Sequence, residues 1–119
     1  MEFEFKKNNP LEKRLEQLAK IQKEYPDKIP IILERANKCT INKVIKTKYI
    51  LSNSLTMAEF IKIIRGKLEL EPERALFFLA NGKYSLSSNE DLGQVYQKYK
   101  DSEDGYLYMT GKNIIFKRT

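Results

Sequence analysis

Residues 47–68 read TKYILSNSLTMAEFIKIIRGKL, and the pattern changes character part-way along. In TKYILS (47–52) the side chains alternate. Lys48 and Ile50 fall on one face, Tyr49 and Leu51 on the other, which is the period of a strand. From Thr56 the period lengthens. Met57, Phe60, Ile61, Ile64 and Leu68 make one apolar stripe of a helix, and Thr56 with Glu59 three residues on forms a capping box. Residues 47–68 therefore predict a strand that leads directly into a long capped helix.

Working outward from this unit, IPIILER (29–35) reads as a second alternating strand. Ile29, Ile31 and Leu33 lie on one side and Pro30 and Ile32 on the other. Pro30 has no N–H to give a ladder, so it belongs at the strand's start or on an unpaired side. The segment between the strands, KCTINKVIKTK (38–48), is too long for a tight hairpin and carries four lysines with no acid. Before the strands, Leu11, Leu15, Leu18 and Ile21 recur at helical spacing within a helix over 12–24, and Pro26 ends it. After the long helix, ERALFFLANGKYSL (73–86) predicts a strand, a turn at Asn81-Gly82 and a short strand. SSNEDLGQVYQKY predicts a short helix capped by Ser88, and a last strand covers Tyr106 to Met109.

Two strands, one crossover helix and two further strands make an α+β, ubiquitin-like β-grasp. The last strand should lie centrally and parallel to the first. The extra helical pattern adds an N-terminal extension (1–26) to a core (27–110) and a tail (111–119). A chain of 119 residues suits one domain. It needs no disulfide, and Cys39 as the only cysteine can form none internally. The N-terminus MEFEFKKNNP carries acids where a secretion signal would carry cations.

Little in the chain suits catalysis. There is no histidine, no cysteine cluster for zinc and no glycine-rich phosphate loop, so neither an enzyme nor a cofactor is expected. Asp101, Glu103 and Asp104 read as a solvated turn. The net charge of +6 is concentrated in residues 1–54, with 12 Lys+Arg against 7 Asp+Glu. Such a field draws acidic peptides, anionic surfaces or nucleic acid. A basic β-grasp domain binding nucleic acid through 38–48 is thus one reading. The other is peptide addition to the edge formed by KYIL, with Lys46 and Lys48 facing acids on the peptide. The same two lysines also suit a gatekeeper role against edge aggregation. In ALFFL, Phe77 and Leu79 point outward from the strand, where they either meet a partner or lie under the short helix.

Several blocks share one resemblance: NPLEKR, KIQKEYPDKIPIILE, KYIL, SLTMAEFIKIIR, ERALFFLANG and LGQVYQKYKDSEDGYLYM. In register, they resemble the autophagy ubiquitin-like modifiers, a family that includes the GABA(A)-receptor-associated protein and the microtubule-associated light chains. The resemblance spans residues 1 to about 110. It implies two N-terminal helices, the first around Glu2 to Asn8 with a break at Pro10. It implies a cytoplasmic monomer linked to autophagosome formation, reaching the autophagosome or another vesicle membrane when lipidated. Implied partners are cargo receptors and autophagy machinery with LIR-type motifs (aromatic-x-x-aliphatic, acids in front), a processing protease and an activating enzyme.

The matching positions for the motif's aromatic residue are Gln17, Ile21, Pro30, Ile32, Lys48, Ile50 and Tyr106. Those for its aliphatic residue are Tyr49, Leu51, Leu55, Phe60 and Ile63. Lys28, Lys46, Lys48 and Lys67 match the positions that face acids, and Arg65, Phe77 and Leu79 the processing and activating face. Two positions depart from relatives: Gln17 replaces a usual Glu and Ser52 a usual Pro. At the tail, Arg118 stands where the resemblance places the glycine that takes the lipid, so conjugation is in doubt. Gly111 is the glycine left after the predicted last strand.

Overall fold

The structure is a computed structural model that describes residues 3–36, 46–69 and 74–115. In chain order the elements are α1 (Glu4–Asn8), α2 (Leu11–Glu24), β1 (Lys28–Arg35), β2 (Lys48–Ser52), α3 (Met57–Leu68), β3 (Arg74–Ala80), β4 (Tyr84–Ser85), α4 (Leu92–Tyr99) and β5 (Leu107–Ile115). One sheet runs β2-β1-β5-β3-β4. β5 is central, parallel to β1 and antiparallel to β3, and β2 is an edge strand. This is the ubiquitin-like β-grasp, with two helices added at the N-terminus.

Alternation divides the core between the two faces of the sheet. Ile29, Ile31 and Leu33 of β1 and Leu107 and Met109 of β5 pack with Met57, Phe60, Ile64 and Leu68 of α3 and Leu92 and Val95 of α4. Ile32, Tyr106 and Tyr108 point the other way, against Phe3 and against Leu18 and Ile21 of α2. Because β1 is covered on both faces, its interior is buried without a break. The capping box at the start of α3 is complete: the Glu59 N–H donates to Thr56 Oγ1 at 3.2 Å, and the Thr56 N–H donates to Glu59 Oε1 at 3.1 Å. Pro30 precedes the first β1–β5 pair, Ile31 with Leu107, so its missing N–H interrupts no ladder.

The second face holds a buried ionic network. Arg14 Nη1 donates to Asp104 Oδ2 at 2.5 Å, and the Tyr108 hydroxyl donates to the same oxygen at 2.5 Å. Asp104 Oδ1 accepts the Tyr106 N–H at 2.9 Å, and Arg14 Nε donates to the Asn9 carbonyl at 2.9 Å. Burial of Tyr108, the hydrogen bond it gives Asp104 and that carboxylate's charge all push its hydroxyl pKa far up. The network ties α2 to the loop before β5. α1 is fastened separately. The Glu34 carboxylate accepts the N–H groups of Glu4 and Phe5 at 2.8 and 2.9 Å, and Lys6 pairs with Asp101 at 2.7 Å.

Four expectations are corrected. Leu15 is 42% exposed, and the buried stripe of α2 is Arg14, Leu18 and Ile21, because Asp104 draws the arginine inward. Asp104 is therefore fully buried and no part of a solvated turn. α4 is preceded by Asp91, and Ser88 instead uses its carbonyl to accept the Ala58 N–H. Finally, β5 runs to Ile115 and pairs with β3 as far as Arg74, so residues 111–115 belong to the sheet and the tail boundary moves. Gly111 is buried in that strand, where a Cβ would lie 3.1 Å from the Phe78 ring.

Candidate functional site

Among the described residues, β2 has an open side. The Leu33 N–H donates to the Thr47 carbonyl and the Asn53 N–H to the Asp27 carbonyl, which sets the phase of the β1–β2 ladder. In an antiparallel pair such bonded positions alternate. Tyr49 and Leu51 therefore spend their backbone groups on β1, while Lys48 and Ile50 turn theirs outward. Beyond Ser52 the edge closes, since the Ser52 carbonyl accepts the Leu55 N–H at 3.3 Å.

The two sets of candidate pocket residues flank this edge on opposite faces. Ile21, Ile32 and Tyr106 form one buried cluster, with Ile50 packed against it and Pro30 buried beside Ile31. Gln17 and Lys48 sit at its margin, where Lys48 Nζ donates to Gln17 Oε1 at 3.2 Å. Burial first, and then the charge of Lys46, lower the Lys48 pKa. Burial, with Asp104 nearby, pushes the Tyr106 hydroxyl up to about 12. On the other face, Leu51 and Leu55 are half-buried against the core, and Ile63 is 37% exposed. Tyr49 is only 4% exposed and meets Phe60 edge-on at 5.8 Å. Phe60 is fully buried behind Tyr49.

The four candidate cations are not at one place. Lys46 and Lys48 lie at the start of β2, and the register sets Lys28 opposite Ser52, at its other end. Lys46 Nζ is 5.9 Å from the Tyr49 ring and Lys28 Nζ is 5.0 Å from the Tyr25 ring. Lys67 is exposed in the last turn of α3. Phe77 is 44% exposed and Leu79 half-buried. α4 does not cover them, because its buried side chains, Leu92 and Val95, belong to the other face. Arg65 is half-buried on α3. Arg118 and residues 37–45, with most of the lysine-rich connector and Cys39, lie outside the described residues.

Sequence reasoning missed Phe5 and Glu34. Phe5 packs edge-on against Tyr106 at 5.3 Å, and Lys48 Nζ lies 5.9 Å from the Phe5 ring, so α1 borders the first set of candidate residues. The alternation of Phe3 and Phe5 in the N-terminal segment was the one available signal.

A profile of the family described as "Autophagy protein Atg8 ubiquitin like" matches residues 13–114. The chain belongs to this family. Autophagy-related protein 8d of Arabidopsis thaliana is 37% identical over 106 residues, which cover 89% of this chain and 87% of the relative. The crystal structure of Trypanosoma brucei ATG8 superposes with a TM-score of 0.88 at 30% identity, covering 99% of this chain and 100% of the other. The Atg8 assignment agrees with the β-grasp core and both N-terminal helices. No helix among the described residues is long and apolar enough to cross a membrane.

Proposed function

We propose that this Atg8-family protein acts in autophagosome formation as an adaptor. It binds acidic aromatic-x-x-aliphatic segments by adding them as a strand to β2. The observation that carries this reading is the placement of the candidate apolar side chains on the two faces of β2. Residues three apart in an extended strand point to opposite faces. The candidate residues put apolar side chains on both faces of the same edge, Ile21, Ile32 and Ile50 on one and Leu51 and Leu55 on the other, and in this reading each set receives one of the two motif residues. Between the two sets, Lys48 and Ile50 present outward backbone groups. Lys46 and Lys48 mark the start of β2, so acids in front of the aromatic residue meet them when the added strand runs parallel to β2. The protein contributes binding and no catalysis.

A second contact surface includes Phe77 and Leu79, which would face the processing protease and activating enzyme; Arg65 sits on α3, the helix that covers the other face of the sheet. Lipid conjugation does not use Gly111 in this reading. That glycine lies between Leu33 and Phe78, its carbonyl accepts the Ala36 N–H at 3.0 Å, and four more strand residues follow it. Mass spectrometry after incubation with activating and conjugating enzymes and phosphatidylethanolamine tests this, and an adduct on Gly111 would refute it.

Titration calorimetry tests the main reading. An acidic aromatic-x-x-aliphatic peptide should bind with a Kd on the order of 1 μM, about −8 kcal/mol. The same peptide N-methylated between its aromatic and aliphatic residues loses a ladder donor and should bind at least about tenfold more weakly. Equal affinity for both peptides would exclude strand addition.

A further inference from the structure

At the end of the sheet away from β2, the β3–β4 turn meets the C-terminus of α4. Tyr84 and Tyr99 stack there with ring centroids 5.3 Å apart and planes 24° apart. Lys83 Nζ lies 5.4 Å from the Tyr84 ring, Lys98 Nζ 5.2 Å from Tyr99 and Lys100 Nζ 5.3 Å from Tyr96. Tyr84 is 45% exposed, and all three lysines are exposed. None of these lysines has an ion pair among the described residues. The nearby acids are largely committed: Asp101 pairs with Lys6 and Asp104 with Arg14, leaving Glu103 exposed in the next loop.

The patch is held in shape. Asn81 and Gly82 both adopt positive φ, 55° and 73°, in a turn closed by the Lys83 N–H to the Ala80 carbonyl. Asn81 Nδ2 then donates to the Tyr99 carbonyl at 3.3 Å, which joins the turn to the end of α4.

We infer that this patch is a docking face for an anionic lipid surface. Tyrosine, with its apolar ring and polar tip, suits the headgroup level of a bilayer, and unpaired lysines are drawn to acidic leaflets. A peptide strand gains little here, because β4 has only two residues to offer as a ladder. Stacking of nucleic-acid bases is disfavoured, because each stacked ring already holds the other ring and a lysine ammonium. Docking by this end also turns β2, at the opposite edge, away from the membrane. The inference stands independently of what binds at β2.

Vesicle co-sedimentation of the full chain tests it. The protein should sediment with phosphatidylcholine vesicles only when they contain phosphatidylserine, and high salt should release it. The combined change Lys83→Glu, Lys98→Glu and Lys100→Glu should cut binding roughly tenfold or more. The same charge change on the exposed face of α2, Lys13→Glu, Lys20→Glu and Lys23→Glu, should retain most of it. If circular dichroism finds the first variant unfolded, the triple Lys→Gln change at the same positions should show the same selective loss. The inference fails if no vesicle binding occurs or if both sets of changes weaken it equally. It also fails if the patch variant loses single-stranded RNA binding while vesicle binding is unchanged.

Discussion

The two edges of the sheet are built differently. β2 is five residues long, turns the backbone groups of Lys48 and Ile50 outward and carries apolar side chains on both faces, Ile50 on one and Tyr49 and Leu51 on the other. β4 is two residues long and is bordered by stacked tyrosines and lysines. An open edge is an aggregation hazard unless it is shortened, charged or used. The β4 edge is shortened. The β2 edge is kept open and given cations at its start, an arrangement suited to a strand partner. Its supports also differ in kind: an ionic network and α2 on one face, a mainly apolar cluster with α3 on the other.

The strongest blow to the β2 side should come from below the first pocket. Asp104→Ala leaves Arg14 buried without its partner and should cost about 3–5 kcal/mol in urea unfolding. Lys48→Glu should leave the fold intact and weaken an acidic peptide by about tenfold or more in calorimetry, while weakening a neutral peptide less. Thr56→Ala removes the cap of α3, the helix that carries Phe60 and Ile63, and should cost about 1 kcal/mol. On the other edge, Tyr84→Ala should change stability by no more than about 0.5 kcal/mol and leave peptide affinity unchanged.

Acid should act on the α1 tie. Burial pushes the Asp101 pKa up, but the Lys6 ammonium and the N–H groups of Asp104 and Glu103 outweigh it and hold the carboxyl below its ordinary value. A depressed carboxyl pKa stabilises the fold above the unfolded value, about 4, and loses that contribution as pH falls through the folded value. An NMR pH titration should therefore find the α1 resonances shifting below about pH 4. Lys6→Ala should move that transition upward.

Much of this arrangement was legible in the sequence. The alternation of Lys48, Tyr49, Ile50 and Leu51 assigned the faces of β2, and Thr56 with Glu59 located the start of α3. Both signals are local, so they survive without knowledge of the tertiary contacts. Arg14 and Asp104 were not legible. They are 90 residues apart, and each alone looks like a solvated charge. The length of β5 was hidden by Gly111, which reads as punctuation but lies within the strand, closely approached by the Phe78 ring. The burial of Phe60 followed from the apolar stripe of α3, but that of Tyr49 was hidden, because alternation gives a strand side chain's face and says nothing of its depth. For that reason Tyr49→Ala would report on stability as much as on binding.

Amide hydrogen exchange, residue by residue, with and without an acidic aromatic-x-x-aliphatic peptide, tests the account most directly. Lys48 and Ile50 should exchange quickly in the free protein and slow markedly when the peptide is bound. Tyr84 and Ser85 should stay unchanged. Fast exchange at Lys48 and Ile50 with the peptide bound, or protection that appears at β4 instead, would contradict strand addition at β2.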